Sequence, residues 1–191
     1  MSVRVEVIAG TDRLLVRQWR RSDAERVLDI QSRWEVVRWL DDDARVLTDL
    51  DKAAERIDGW QGVTAKDGAP CGHWAVEVKD TGVVAGAVML LPLPTLNRPA
   101  GVRECQVGWH LHPDSHGRGY AREAAAAALA YGFGNGLRTI HALMYVDNIP
   151  SAKVARALGM AERGVVTDQW YPGDNLVFVA TADSEPEAIL R

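Results

Sequence analysis

The residues with the clearest chemical purpose are two glycines, Gly117 and Gly119, in the run His116-Gly117-Arg118-Gly119-Tyr120-Ala121-Arg122. Glycine reaches φ values closed to other residues and leaves the backbone bare, so successive N–H groups at such a turn can converge on one concavity. The Ala-rich stretch that starts at Tyr120 has very high helix propensity. Its first turn would add unpaired N–H donors and the positive end of the helix macrodipole to the same place. The expected ligand is an anion, phosphate above all; the plainer reading is a tight turn that binds nothing. A Walker loop is excluded, because no Lys-Ser or Lys-Thr pair follows the glycines. A dinucleotide fingerprint is excluded too, because it needs a small residue where this chain carries the long Arg122 side chain.

The elements around these glycines can be read from periodicity. Val107, Trp109 and Leu111 alternate with Gly108, His110 and His112, the two-residue repeat of a strand, and Pro113 ends the ladder because it has no N–H to donate. Asp114 to Gly119 forms the turn, and the helix follows from Tyr120. Thr139 to Val146 is the next strand, which must lie parallel to the first after one helical crossover.

The turn resembles the acetyl-coenzyme A motif [QR]-x-x-G-x-[GA] of the GCN5-related N-acetyltransferase (GNAT) superfamily, with His116 in place of the Gln or Arg. The longer string W-x-L-x-P-x-x-x-G-x-G-Y-A-x-E-A, from Trp109 to Ala124, resembles the RimJ/RimL-like branch, the ribosomal-protein N-terminal acetyltransferases. The resemblance implies an α/β GNAT fold over about residues 13–182, within a single domain spanning 1–191. Its mixed sheet of six to seven strands would carry helices on both faces and splayed fourth and fifth strands. The pantetheine arm of acetyl-CoA would lie in that splay, bonded to the fourth-strand backbone.

The same resemblance implies residue roles. Acetyl-CoA would be held by Trp109 and Leu111 in the splay, by His116, Gly117, Arg118, Gly119, Tyr120, Ala121 and Arg122 at the turn, and by Asn148. Trp109 serves equally well as a core residue. Asn148-Ile149-Pro150-Ser151 matches the family's Asn-x-x-Ser, whose Ser hydrogen-bonds the departing thiolate; Ser151 is also a fitting helix N-cap, and the two duties are compatible. The Tyr that many family members carry seven residues after the Asn, as acid for that thiolate, is Ala155 here.

An amine must lose a proton to attack a thioester, and Glu104, at the entrance of the fourth strand, is the candidate base, with a surface or salt-bridged Glu as the other reading. His73, His110 and His112 stand behind it, His110 on the strand face opposite Trp109. Trp34, Trp39 and Trp60 together with Asp41 to Asp43 suggest an apolar acceptor pocket with an acidic rim. Each Trp is equally a core residue, and the Asp run is more simply a solvated loop than a metal site, having no calcium-loop glycine. No metal is implied. Glu104 and Ser151 are thus the expected catalytic pair, with direct transfer from acetyl-CoA to an amine acceptor, a small molecule or a peptide N-terminus. The competing reading is a CoA-binding sensor without turnover.

Elsewhere, Arg13 to Trp19 reads as the first strand and Ser22-Asp23-Ala24-Glu25 as a capping box opening a helix to about Arg33. Trp34 to Leu40 follows, and then Thr48-Asp49-Leu50-Asp51 opens a second helix to about Trp60. Trp74–Val78 and Val83–Leu91 form a hairpin about Asp80-Thr81-Gly82, and the Pro/Asn segment from Pro92 to Gly101 is a loop. A short helix, Ala152 to Leu158, ends at Gly159, and strands near Val165–Trp170 and Asn175–Ala182 complete the chain. At 47% hydrophobic and 25% charged residues over 191 positions, the composition is that of one soluble globular domain. The net charge of −4 disfavours nucleic acid, and no stretch approaches the ~18 apolar residues of a membrane span. Cys71 and Cys105 read as reduced thiols of a cytoplasmic protein, for which a homodimer stays open.

Overall fold

In a computed structural model of the chain, residues 6–40, 44–67, 70–93 and 104–183 are described. Strands β1 (Val7–Gly10) and β2 (Leu14–Arg17) come first, then helices α1 (Ala24–Gln31), α2 (Trp34–Val37) and α3 (Leu50–Asp67). Strands β3 (Gly72–Val78), β4 (Val84–Pro92) and β5 (Cys105–Leu111) lead to helix α4 (Tyr120–Gly134). Strand β6 (Thr139–Tyr145), helix α5 (Ile149–Ala157) and strands β7 (Ala161–Thr167) and β8 (Asp174–Thr181) complete the fold. The eight strands form one sheet in the order β1-β2-β3-β4-β5-β6-β8-β7, all pairs antiparallel except β5 with β6.

Helices cover both faces. Alternate residues of β3 and β4 serve the two sides: Val76, Val88 and Leu90 join α4, while Ala75, Val84 and Ala87 join Trp19, Val27 and Ile57 of the α1/α3 side. Helix α4 is buried on almost every side, with Ala124 to Ala128 all shielded, so small side chains let its backbone settle close to the sheet.

The sheet has one strand more than the six to seven expected. The addition, β1, is four residues long and bulged between Val7 and Ala9, too short to show a two-residue repeat. The expected capping box at Ser22 is replaced by a 3₁₀ turn at Arg21–Asp23. There the Asp23 carboxylate accepts from the Arg20 N–H at 2.7 Å and pairs with the buried Arg17 guanidinium at 2.8 Å, which also holds Glu77 at 2.6 Å. The Asp23 carboxylate is thus taken by the Arg20 N–H and the Arg17 guanidinium and does not cap α1. Helix α3 runs past the expected Trp60, and its start is capped as expected, Asp49 accepting from the Asp51 N–H at 2.7 Å. Asp41 to Asp43 lie outside the described residues, as does the Pro92–Gly101 loop from residue 94 on.

Candidate active site

The parallel pair β5 and β6 is joined at one end only. Strand β5 stays in register with β4 from Cys105↔Pro92 to Leu111↔Gly86, and β6 with β8 from Thr139↔Thr181 to Tyr145↔Asn175. The two meet each other only at Cys105↔Ile140 and Gln106↔His141. Each is committed to its outer neighbour, and the sheet's twist carries their far halves apart. A cavity of about 880 Å³ occupies the opening. Val107 to Leu111, Ala142 to Tyr145, the turn and α5 line it. Glu35, Val36, Trp39 and Leu40, in and after α2, line it as well.

The glycine turn is built as a cradle. A 3₁₀ turn at Pro113–Ser115 follows β5, with the His112 side chain accepting from the Asp114 N–H at 3.1 Å. Gly117 and Gly119 then take φ of 72° and 79°, and among the described residues no atom beyond the chain neighbours lies within 4 Å of where a Cβ on Gly117 would be. Gly119 is the N-cap of α4 and has no side chain to cap it, and the first helical bond is from the Glu123 N–H to the Gly119 carbonyl at 3.1 Å. The donors ahead of Glu123 therefore face out of the helix end, beside the space that Gly117 leaves open. Arg122 and Lys153 in the wall add positive charge. His116, which stands where the motif has Gln or Arg, turns back on its own strand, its Nε2 3.2 Å from the Leu111 carbonyl.

Trp109, Leu111, Gly117, Gly119, Tyr120, Ala121, Arg122, His116, Asn148 and Ser151 all line this one cavity. Arg118, expected among them, does not line the cavity; its carbonyl accepts from Arg13 Nη1 at 3.0 Å. Ser151 does not cap α5: the buried Asn148 does, its Oδ1 accepting from the Ser151 N–H at 3.2 Å. Asn outcompetes Ser because Pro150 and Ile149 put Ser151 inside the first turn, three residues past the cap. Ala155 is wholly buried in the core.

Glu104 is placed against His141, with 3.4 Å between Oε2 and Nε2, and its own carbonyl accepts from the Leu93 N–H at 2.8 Å. It lies just before β5, roughly 7 Å along the chain from Gln106, and does not itself line the cavity. Gln106 is the first β5 residue in the cavity wall.

His110 is in the wall, 8% exposed, and its Nδ1 has no hydrogen-bond partner among the described residues. Burial, then the nearby Arg56 guanidinium, hold its pKa at about 4. His73 lies 6.0 Å from it, stacked on Trp60 at 4.1 Å and accepting from Trp19 Nε1 at 3.0 Å. Burial first, then His110 and Arg56, keep it well below the ordinary range as well. His112 stands beside Asp29, its Nε2 3.1 Å from the carboxylate, while its Nδ1 is taken by the Asp114 N–H.

Of the three tryptophans expected near an acceptor, Trp39 reaches the cavity, 6.2 Å from Tyr145, Trp60 packs on His73, and Trp34 is exposed on the surface. Sequence reasoning missed Glu35, the one acidic side chain of the cavity wall among the described residues, and Tyr171, whose hydroxyl meets Gln106. No local pattern marks either, since each reaches the site through an element remote in sequence. Among the described residues no cluster of His, Cys, Asp and Glu could hold a metal ion, and no helix is long and apolar enough to cross a membrane.

Comparison with known proteins gives consistent findings. The family profile described as an acetyltransferase (GNAT) domain matches residues 13–161. The N-acetyltransferase YoaA of Bacillus subtilis is 28% identical over 166 residues, 86% of this chain and 88% of that protein. YnaD of the same organism is 28% identical over 155 residues, 81% and 82% of the two chains. Among solved structures, RimL, a ribosomal L7/L12 alpha-N-protein acetyltransferase in complex with coenzyme A, superposes with a TM-score of 0.74 at 17% identity. That match covers 94% of this chain and 100% of the other. Mycobacterium smegmatis RimJ in complex with a CoA-disulfide gives 0.72 at 21% identity over 97% and 89%. At these identities the structures establish the shared fold.

Proposed function

The chain belongs to the GNAT acetyltransferase family, and from that premise we propose that it transfers the acetyl group of acetyl-CoA to a primary amine. The observation that carries this reading is the single cavity joining the glycine cradle, the β5–β6 opening and α2. The outward N–H groups at the head of α4, with Arg122 and Lys153, suit a pyrophosphate. Beyond Gln106 no β5 residue pairs with β6, so the β5 backbone is open to an arm that bonds to it as an added strand. Acetyl-CoA supplies a thioester, in which a C–N bond to the amine replaces the C–S bond; the ammonium nitrogen gives up two protons in all, one to the base before attack and one as the tetrahedral intermediate collapses, and the sulfur leaves as thiolate.

This chain's residues divide that work. Ser151 is freed from capping by Asn148, so its hydroxyl is available to donate to the thiolate, and the positive end of α5 stabilises the same charge. Glu104 takes the proton through water along the β5 face, with His141 fixing its carboxylate. Both cysteines are buried and neither lines the cavity, which favours direct transfer over an acyl-enzyme.

The acceptor end fits an ammonium on an apolar body: Trp39, Tyr145 and Tyr171 form the wall and Glu35 supplies the negative charge. The neighbour named for alpha-N acetylation of ribosomal L7/L12 supports a peptide N-terminus as one such acceptor. A second reading, a CoA-binding module without turnover, is favoured by the buried Ala155 in place of the acid Tyr. Free-thiol release from acetyl-CoA over a panel of peptides and small primary amines separates the two. Turnover with at least one amine is expected; CoA binding by calorimetry with no thiol released from any acceptor would leave the second reading.

A further inference from the structure

The β1–β2 turn packs against the glycine cradle from outside the cavity, and the contacts converge on one side chain. Arg13 Nη1 donates to the Arg118 carbonyl at 3.0 Å, inside the turn itself. Its Nε and Nη2 donate to Glu123 Oε2 at 2.8 and 2.5 Å, on the first turn of α4. The guanidinium carbon lies 5.1 Å from the centre of the Tyr120 ring, and Nη2 is 3.4 Å from where a Gly119 Cβ would stand. Glu123 Oε1 accepts in addition from the Thr11 hydroxyl and from the Arg13 N–H at 3.2 Å.

The turn that presents Arg13 is itself fixed. The Thr11 N–H donates to the Leu14 carbonyl and the Leu14 N–H to Thr11 Oγ, each at 2.9 Å. The Lys79 N–H donates to the Arg13 carbonyl at 2.9 Å, and the Lys79 ammonium reaches the Thr11 carbonyl. Arg13 thus stands on a braced support and grips residues 118–123.

The cradle needs such a grip. Two glycines at positive φ lose more conformational freedom on ordering than other residues, and Gly117 has no side chain to pack. A ligand's apparent affinity falls in proportion to the fraction of molecules whose loop is already in the binding form. Because Glu123 neutralises it, Arg13 acts through the loop's conformation and not as a free cation for the phosphates. We infer that Arg13, with Glu123, is a positioning residue that holds the glycine cradle in its CoA-binding shape, an inference that rests on the acetyl-CoA reading above.

The test is calorimetric titration of CoA into wild type, Arg13→Ala, Arg13→Lys and Glu123→Ala, with steady-state kinetics on the same proteins. Arg13→Ala should raise the CoA Kd and the acetyl-CoA KM by ~10-fold while kcat at saturation changes less than about twofold. A merely structural role would lower melting temperature and active fraction but leave that ratio unmoved. Arg13→Lys should recover little, because an ammonium cannot grip the carbonyl and the carboxylate with one planar fork. Glu123→Ala is decisive: loss of the clamp weakens CoA by ~3-fold or more, whereas a direct Arg13–phosphate contact would tighten binding once the competing carboxylate is gone. Should Arg13→Ala fail to fold, the other two variants carry the test. Unchanged affinity in Arg13→Ala, or tighter binding in Glu123→Ala, overturns the clamp. A wild-type protein giving no heat with CoA would instead sink the reading beneath it.

Discussion

Replacing His110 by Gln should remove a defined share of the protein's acid lability. Burial and Arg56 hold the folded-state pKa of His110 at about 4, below its ordinary value of 6.5. The neutral ring is therefore the folded form, and the unfolded chain takes up a proton first as pH falls. The contribution to stability is complete above pH 6.5 and is lost below it. Integrating one proton between those limits gives a loss of about 2 kcal/mol at pH 5 and about 3 kcal/mol at pH 4. Urea unfolding at pH 7 and pH 5 measures it as the difference between wild type and His110→Gln. Asp29, Asp114 and Glu123, whose carboxyls are all held low, weaken in acid too, but equally in both proteins. His73 lies beside His110 and shifts the same way; burial, the largest cause of its shift, is kept in the variant, so most of its own acid penalty stays. If His110→Gln loses as much stability as wild type between pH 7 and pH 5, the buried neutral imidazole is refuted. The same value bears on catalysis. Moving a proton from an α-amino group of ordinary pKa, ~8, to a base near 4 is uphill by about 5 kcal/mol, so His110 lines the site without storing the acceptor's proton.

Gly119→Asp should abolish CoA binding in a folded protein, because a side chain at a φ of 79° strains the turn and its carboxylate, on a Cβ 3.4 Å from Arg13 Nη2, would draw that guanidinium off the cradle; unchanged affinity by calorimetry would remove the cradle from the mechanism. Ser151→Ala should lower kcat by ~10²-fold with little change in acetyl-CoA KM, and, since Asn148 is the cap, with little change in melting temperature. Normal turnover would leave the thiolate to water. Glu104→Gln should lower kcat/KM by ~10²- to 10⁴-fold at neutral pH, with the loss shrinking as alkaline pH delivers the acceptor already neutral. A small, pH-independent effect would reduce Glu104 to a partner of His141.

Sequence alone determined the centre of this protein: the strand to Leu111, the glycine turn at 117–119 and the helix from Tyr120. Each of these follows from a local cause, a two-residue repeat stopped by Pro113, glycine's access to positive φ, and alanine's helix propensity. The parallel placement of the strand from Thr139 followed as well, because a single helical crossover admits little else. What the sequence left open depended on partners distant along the chain. At the head of α1 the Asp23 carboxylate went to the Arg20 N–H and to Arg17, which also holds Glu77, and the cap of α5 went to Asn148 once Pro150 had placed Ser151 inside the turn. Strand β1 was too short to signal itself, yet through the turn that follows it comes the Arg13 grip on the cradle. Glu35 and Tyr171 entered the cavity wall, and Glu104 turned to His141, for the same reason. Period and propensity act over a few residues, whereas the pairings that decide which side chain meets a cavity are made only when the sheet and its two helical layers close on one another.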